Sequence, residues 1–229
     1  MTIKTQNNKL SWTVLPAIVI LFVATVAFVP VQSAEAVCSA SSHCYAFAQT
    51  TVTNLGGYAG IDINSSNSVD SGTGIANPVW VGFGASNSGE FLESGWQKGT
   101  GINPCVSSTA KFYVWNSIPS TATGSCQGSV SGSTVTIQVS DSNEDGYWGL
   151  LINGVQKLTV FHEERASRVT SGGESTDADN VLDNGQTASL QYANTAGTWN
   201  SWSSASKFDD SPYTATWNTS PTDLAYEGP

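Results

Sequence analysis

Short segments with the alternating pattern of β-strands follow one another through most of the chain, separated by Gly, Ser and Asn. In the clearest of them, 133–140, alternation places Val135, Ile137 and Val139 on one face. No segment has a convincing helical pattern. The predicted strands are 45–53, 58–64, 78–84, 90–97, 110–117, 133–140, 147–152, 155–161, 167–174, 186–192, 196–202 and 212–218.

One turn in this series has a strong sequence signal. Asn153-Gly154 lies between two apolar segments, and this dipeptide is typical of a two-residue hairpin turn. Segments 147–152 and 155–161 should therefore pair antiparallel. Many strands of this length, joined by short polar turns, predict an all-β fold: an antiparallel two-sheet β-sandwich of the jelly-roll or concanavalin-like kind.

The first 36 residues have the features of an export signal. Lys4 and Lys9 give a basic start, residues 13–33 are apolar and uncharged, and Ala34-Glu35-Ala36 fits a signal-peptidase site. We expect cleavage after Ala36 and one β-sandwich domain over 37–229. An uncleaved anchor formed by 13–33 is the alternative. The domain should be secreted, or displayed at the cell surface if the anchor is kept.

Four cysteines, an even number, fall in the expected mature part: Cys38, Cys44, Cys105 and Cys126. In an exported chain this favours two disulfides. Pairing 38–44 and 105–126 is the simplest of the three connectivities, since each closes a local loop. A cysteine metal site is less favoured, because no C-x-x-C occurs. We therefore expect no metal and no cofactor.

Charge excludes one class of partner. The full chain has eight basic and eighteen acidic residues, and removing the leader takes away two lysines and one glutamate, which changes the net charge from −10 to −11. A nucleic-acid-binding protein needs a positive surface, so no nucleic-acid partner is expected. No membrane partner is expected unless the leader is kept.

Several common catalytic and metal motifs are missing from the sequence. The two histidines, His43 and His162, belong to no zinc motif, and no Ser or Cys stands in a nucleophile-elbow context. His162 lies in a charge cluster typical of solvated surface. Residues 141–146 match the opening of a calcium loop, but Ile152 stands where the bidentate glutamate should be, which favours a plain turn.

Two glutamates remain, each within a predicted strand: Glu93 in Phe91-Leu92-Glu93-Ser94-Gly95-Trp96-Gln97, and Glu174 after Gly172-Gly173. Alternation places Leu92 and Trp96 on one face of the strand and Glu93 and Gln97 on the other. A recessed carboxylate can exchange protons at unusual pH, which suits catalysis. Tryptophans in four predicted strands are too many to pack one small core, so some should line a concave face. They are Trp80, Trp96, Trp115 and Trp148.

An ordered set of short motifs covers residues 78–175. The motifs are Val79-Trp80-Val81-Gly82-Phe83, Leu92-Glu93-Ser94-Gly95-Trp96-Gln97, Lys111-Phe112-Tyr113-Val114-Trp115-Asn116-Ser117-Ile118-Pro119, Gly146-Tyr147-Trp148-Gly149-Leu150 and Gly172-Gly173-Glu174. Their order resembles the glutamic peptidases. The fungal branch, the eqolisins, has W-V-G-I, then L-Q-T-G, then an aromatic strand ending in Y-P. The neprosin branch resembles this chain more closely, since its members have a glutamate before G-W-Q and a later G-G-E.

The resemblance implies a secreted, metal-independent, acid-acting endopeptidase with a polypeptide substrate, here expected to be a monomer. Glu93 and Glu174 would be its catalytic pair, sharing one proton because two adjacent carboxylates do not both ionise easily. By analogy with the fungal enzymes, where glutamine replaces Glu93, Glu174 would be the base for the attacking water and Glu93 would stabilise the oxyanion. The residues expected to contact substrate or orient the pair are Gln97, Trp96, Trp80, Trp115 and Tyr113.

Two other functions fit an aromatic groove on a β-sandwich. A non-catalytic carbohydrate-binding or adhesion module needs no approach of Glu93 to Glu174. A jelly-roll glycosidase needs two carboxylates at a sugar-wide separation, with a tryptophan platform between them. A peptidase needs the side chains of Glu93 and Glu174 within a water's reach of each other in an open groove, and their location on opposite sheets would exclude it.

Overall fold

The computed structural model describes residues 43–84 and 89–229, and every regular element in those ranges is a β-strand. The predicted leader, 1–36, and Cys38 lie outside them. Within the same ranges no helix has the length and apolar character to cross a membrane. The strands are β1 (Cys44–Asn54), β2 (Gly56–Asp62), β3 (Gly74–Gly82), β4 (Phe91–Gly99), β5 (Ser107–Asn116), β6 (Thr123–Ser129), β7 (Thr134–Ser140), β8 (Tyr147–Ile152), β9 (Val155–Phe161), β10 (Ala166–Ser175), β11 (Gly185–Ala193), β12 (Trp199–Ser201), β13 (Ser206–Asp209), β14 (Thr214–Thr219) and β15 (Asp223–Glu227).

These strands form two packed antiparallel sheets, which confirms the predicted sandwich. Across the described residues the first sheet has the order β13-β1-β10-β3-β4-β5-β6. The second has the order β14-β15-β11-β2-β7-β8-β9, with β12 paired to β11. We call the first sheet the groove sheet, because its outer face forms the cavity described below.

The core lies between the sheets and is built by alternation on both. Val135, Ile137 and Val139 of β7 are buried in it, as predicted. The groove sheet supplies Leu92 and Trp96 of β4 to the same cluster. Because neighbouring residues of a strand point to opposite faces, burying Leu92 and Trp96 directs Glu93 outward.

Local turns follow from their residue types. Asn153 and Gly154 have φ values of 50° and 73°, and the hairpin they close joins β8 to β9 as predicted. In the acidic segment 141–146, the carboxylate of Asp141 accepts hydrogen bonds from the backbone N–H groups of Asp145 and Gly146. This is the geometry of a polar turn.

A disulfide joins Cys105 to Cys126, the predicted pairing. It ties the loop after β4 to strand β6 at one side of the groove. Cys44 is buried at the start of β1 and is also disulfide-bonded. Its predicted partner, Cys38, lies outside the described residues.

Candidate active site

The outer face of the groove sheet holds an open cavity of ≈ 740 Å³. Its floor and walls come from strands β1, β3, β4, β5 and β10 and from the loop 101–103. Both predicted catalytic glutamates line it, Glu93 from β4 and Glu174 from β10. The two strands are separated in the sheet only by β3, so the two carboxylates share one face and one cavity.

Glu93 stands in a row of three side chains set by strand register. It pairs with Trp80 on β3 and with Trp115 on β5. The Trp80 ring contacts Phe47 of β1, with ring centroids 5.6 Å apart. The Trp115 ring lies over Gly124 of β6, where a Cβ atom would come within 2.2 Å of its Cε3. The Trp80 ring thus reaches across β10 to β1, and the Trp115 ring contacts the adjacent strand β6, both on the side away from Glu93.

Tyr113, a second predicted site residue on β5, contacts Glu93 directly. Its ring is buried, and its hydroxyl donates a hydrogen bond to Oε1 of Glu93. Burial raises the pKa of Glu93 to about 8, and the charge of Glu174 adds to this rise, while the Tyr113 hydrogen bond and His43 oppose it. Glu93 is therefore protonated over most of the acid and neutral range.

Glu174 has different surroundings. It is paired in register with Tyr45 of β1 and Ala76 of β3, and it is only 7% exposed. Nδ1 of His43 contacts its Oε1. This hydrogen bond is the main cause of a raised pKa of His43. Burial lowers the pKa by less than the hydrogen bond raises it, and the charges of Glu174 and Glu93 raise it further. When the imidazole is protonated, the two side chains form an ion pair.

Trp80, Trp115 and Tyr113 lie on the cavity as predicted, but the prediction for Trp96 is wrong. Trp96 is fully buried between the sheets, and its indole N–H donates to the carbonyl of Asp62. It stands three residues from Glu93, an odd number, and so on the opposite face of β4. It supports the groove from below and cannot touch a substrate.

Gln97 also differs from its predicted role. Its side chain is completely buried, and its Nε2 donates to the carbonyls of Ile102 and Cys105 at 2.9 and 3.3 Å. These bonds hold the loop 101–105 against the sheet. Gln97 thus shapes one wall of the cavity and does not line it.

The contacts that the start of β1 makes with the site were not predicted. His43, Tyr45 and Phe47 all line the cavity. His43 is 131 positions from Glu174 in the chain, and only the pairing of β1 with β10 brings them together. The alternation of Tyr45 and Phe47 with buried alanines was a signal that could have placed both aromatic rings on the outer face.

The described part of the chain gives less support to a catalytic role of His162 or to a metal site. His162 packs edge-on against Phe83, with centroids 4.2 Å apart, away from both glutamates. Over residues 43–84 and 89–229 no group of three or more His, Cys, Asp or Glu side chains could hold a metal ion.

Comparison with known proteins gives a match at the level of fold. No family model matches the sequence, and no curated protein matches it. Scytalido-glutamic peptidase, solved with a transition state analog inhibitor, superimposes with a TM-score of 0.59 at 11% identity, over 82% of this chain and 99% of that one. A second structure of that peptidase, with a peptide based analog, gives 0.57 at 10% identity, over 82% and 98%.

SCP-B, a member of the eqolisin family of peptidases solved with the tripeptide Ala-Ile-His, gives a TM-score of 0.55 at 11% identity, over 82% of this chain and 98% of that one. The similarity thus covers nearly the whole of these peptidases. The chain has the fold of the glutamic peptidases, as the motif order predicted.

Proposed function

We propose that this chain is a secreted glutamic endopeptidase of the neprosin-like kind, with Glu174 and Glu93 as its catalytic pair. The observation that carries the proposal is that both carboxylates lie on one aromatic-walled groove of this fold in different surroundings, with the pKa of Glu93 raised by burial and Glu174 in contact with the basic ring of His43. Pairs of this kind divide acid and base roles between them.

The contacts support one division of roles between the two carboxylates. Glu174, beside the imidazole of His43, takes a proton from a water molecule as its oxygen attacks the peptide carbonyl carbon. Glu93 is protonated below its pKa of about 8 and donates its proton to the carbonyl oxygen as negative charge develops there. When the C–N bond breaks, the amine leaves with the proton held by Glu174, and Glu93 recovers its own.

The groove suits an extended peptide. The groove is open, and the Trp80 and Trp115 rings lie on either side of Glu93 without covering it. Aromatic walls can bury apolar side chains of a substrate while its backbone lies across the two carboxylates. Activity should occupy the acid side of the pH range and end near pH 8, where Glu93 loses its proton.

The test is digestion of an unfolded protein by the purified protein from pH 2 to 8, with and without a chelator. Wild-type protein should cleave in both conditions. Glu174→Gln should lower kcat/KM at least roughly 10³-fold, because the base is gone, while the fold is kept. Glu163→Gln, at an exposed loop position, is the matched control and should cleave like wild type.

Two outcomes would contradict the proposal. A folded wild-type protein that cleaves at no pH would favour the non-catalytic binding module. Full activity in Glu174→Gln would exclude the carboxylate mechanism, even if the chain is a peptidase.

A further inference from the structure

The start of β1 brings a basic side chain to the base of the proposed pair. His43 precedes Cys44, which is buried and disulfide-bonded, so the backbone beside the imidazole is anchored. The ring itself is half exposed and lies 6.4 Å from the Tyr45 ring, with Nδ1 on Oε1 of Glu174. The imidazole can therefore exchange protons with solvent while it contacts a buried carboxylate.

The other ionisable groups around Glu174 do not supply a positive charge. Tyr45 of β1 and Tyr113 of β5 are neutral phenols, and burial raises the pKa of each further above its usual value. Glu93 of β4 is an acid, and β3 has no ionisable side chain between Gly74 and Gly82.

Two further charged groups lie farther from the pair. The Asp210 carboxylate accepts the backbone N–H of Tyr45. Arg168 lies on β10 itself, six residues or roughly 20 Å of strand from Glu174. Arg168 and His43 are both basic residues that line the cavity. His43 is the member of that pair that contacts Glu174.

We propose that His43 is a positioning residue that holds one oxygen of Glu174 and so fixes the oxygen that faces the groove. This inference rests on the proposed function, in which Glu174 is the base. With Oε1 held by His43, the second oxygen is left to accept the proton of the attacking water. His43 itself touches neither the substrate nor the water.

The direct test is independent of catalysis. The chain has two histidines, so NMR titration of the imidazoles from pH 4 to 9 resolves both. In Glu174→Gln the titration midpoint of His43 should fall relative to wild type, because its anionic partner is lost. Glu163→Gln, next to His162, is the matched control and should leave the midpoint of His43 where it is in wild type.

The kinetic test uses His43→Gln, which retains a hydrogen-bond donor and removes the charge. Its kcat should stay within roughly threefold of wild type and its KM should change little, because the donor that orients Glu174 is kept. His43→Ala should lower kcat roughly tenfold with KM little changed, since the orienting contact is gone.

The results separate this inference from the proposed function. A wild-type protein that cleaves, with a His43 midpoint insensitive to Glu174→Gln and an unchanged kcat in His43→Ala, would overturn the positioning role and leave the peptidase intact. A His43 midpoint that depends on Glu174 in a protein that cleaves nothing would retain the pairing and overturn the peptidase.

Discussion

The two carboxylates of the groove sit on the same sheet face but in contrasting surroundings. Glu93 stands between two tryptophans and receives a hydrogen bond from a buried phenol, and burial raises its pKa to about 8. Glu174 is also recessed, yet it contacts an imidazole that can carry positive charge. Burial favours the neutral form of Glu93, whereas Glu174 has a basic ring as its neighbour.

Two chemically identical side chains have different surroundings here because different strands supply their neighbours. Tyr113 comes from β5, on the far side of Glu93, and His43 from β1, on the far side of Glu174. Neither partner is close in sequence to the carboxylate that it contacts. In the proposed mechanism, the sheet order β1-β10-β3-β4-β5 gives each carboxylate the neighbour that suits its role.

Among changes around Glu93, the largest loss of activity should come from displacing the Trp115 ring. A methyl group at Gly124 would overlap the Trp115 ring and push it toward Glu93. Displacement of about 1 Å near reacting groups can reduce activity roughly a hundredfold, and Gly124→Ala should do so in kcat/KM. Gly60→Ala on β2 is the control, because the nearest atom to its new Cβ is 3.7 Å away.

A smaller effect should follow from removing the phenol. Tyr113→Phe keeps the buried ring and deletes the hydrogen bond to Glu93, so kcat should fall roughly tenfold. That hydrogen bond lowers the pKa of Glu93, and its loss should raise this pKa and move the alkaline limb of the pH profile upward. An alkaline limb that moves downward would show that the phenol does not stabilise the ionised form.

The smallest effect concerns stability. Glu93 has a pKa near 8 when folded and about 4.5 when unfolded, so wild type loses stability as the pH rises between these values. Glu93→Gln does not titrate. Its melting temperature should match wild type near pH 4 and exceed it by roughly 5 °C at pH 9. Thermal unfolding followed by circular dichroism measures this, and a gap that stays constant with pH would refute the raised pKa.

Alternation and turn chemistry were sufficient to predict the sandwich, the inward face of β7 and the hairpin at Asn153-Gly154. They failed where a strand has little apolar content. β6 and β13 were not predicted, because these sheet-edge strands are mostly exposed and polar and so have no inward stripe to detect. β15 was missed as well, although Leu224 and Tyr226 alternate into the core, because it is only five residues long.

The site was predictable in part for the same physical reason. The strand motifs placed Glu93 and Glu174, and alternation alone separates Trp96 from Glu93, so the groove role predicted for Trp96 contradicted its own pattern. The contact of His43 with Glu174 depends on the pairing of β1 with β10, and the space for Trp115 depends on the pairing of β5 with β6. Long-range register of this kind is not encoded in any local motif.

In the proposed mechanism Glu93 is the protonated partner of Glu174. The most direct measurement is the pH profile of kcat/KM from pH 3 to 10 for wild type and Glu93→Gln. Wild-type activity should decline above about pH 8, where Glu93 ionises. Glu93→Gln should be slower at its optimum but should retain activity through pH 9, because an amide donates a hydrogen bond without losing a proton. An alkaline decline near pH 8 that persists in Glu93→Gln would contradict the claim.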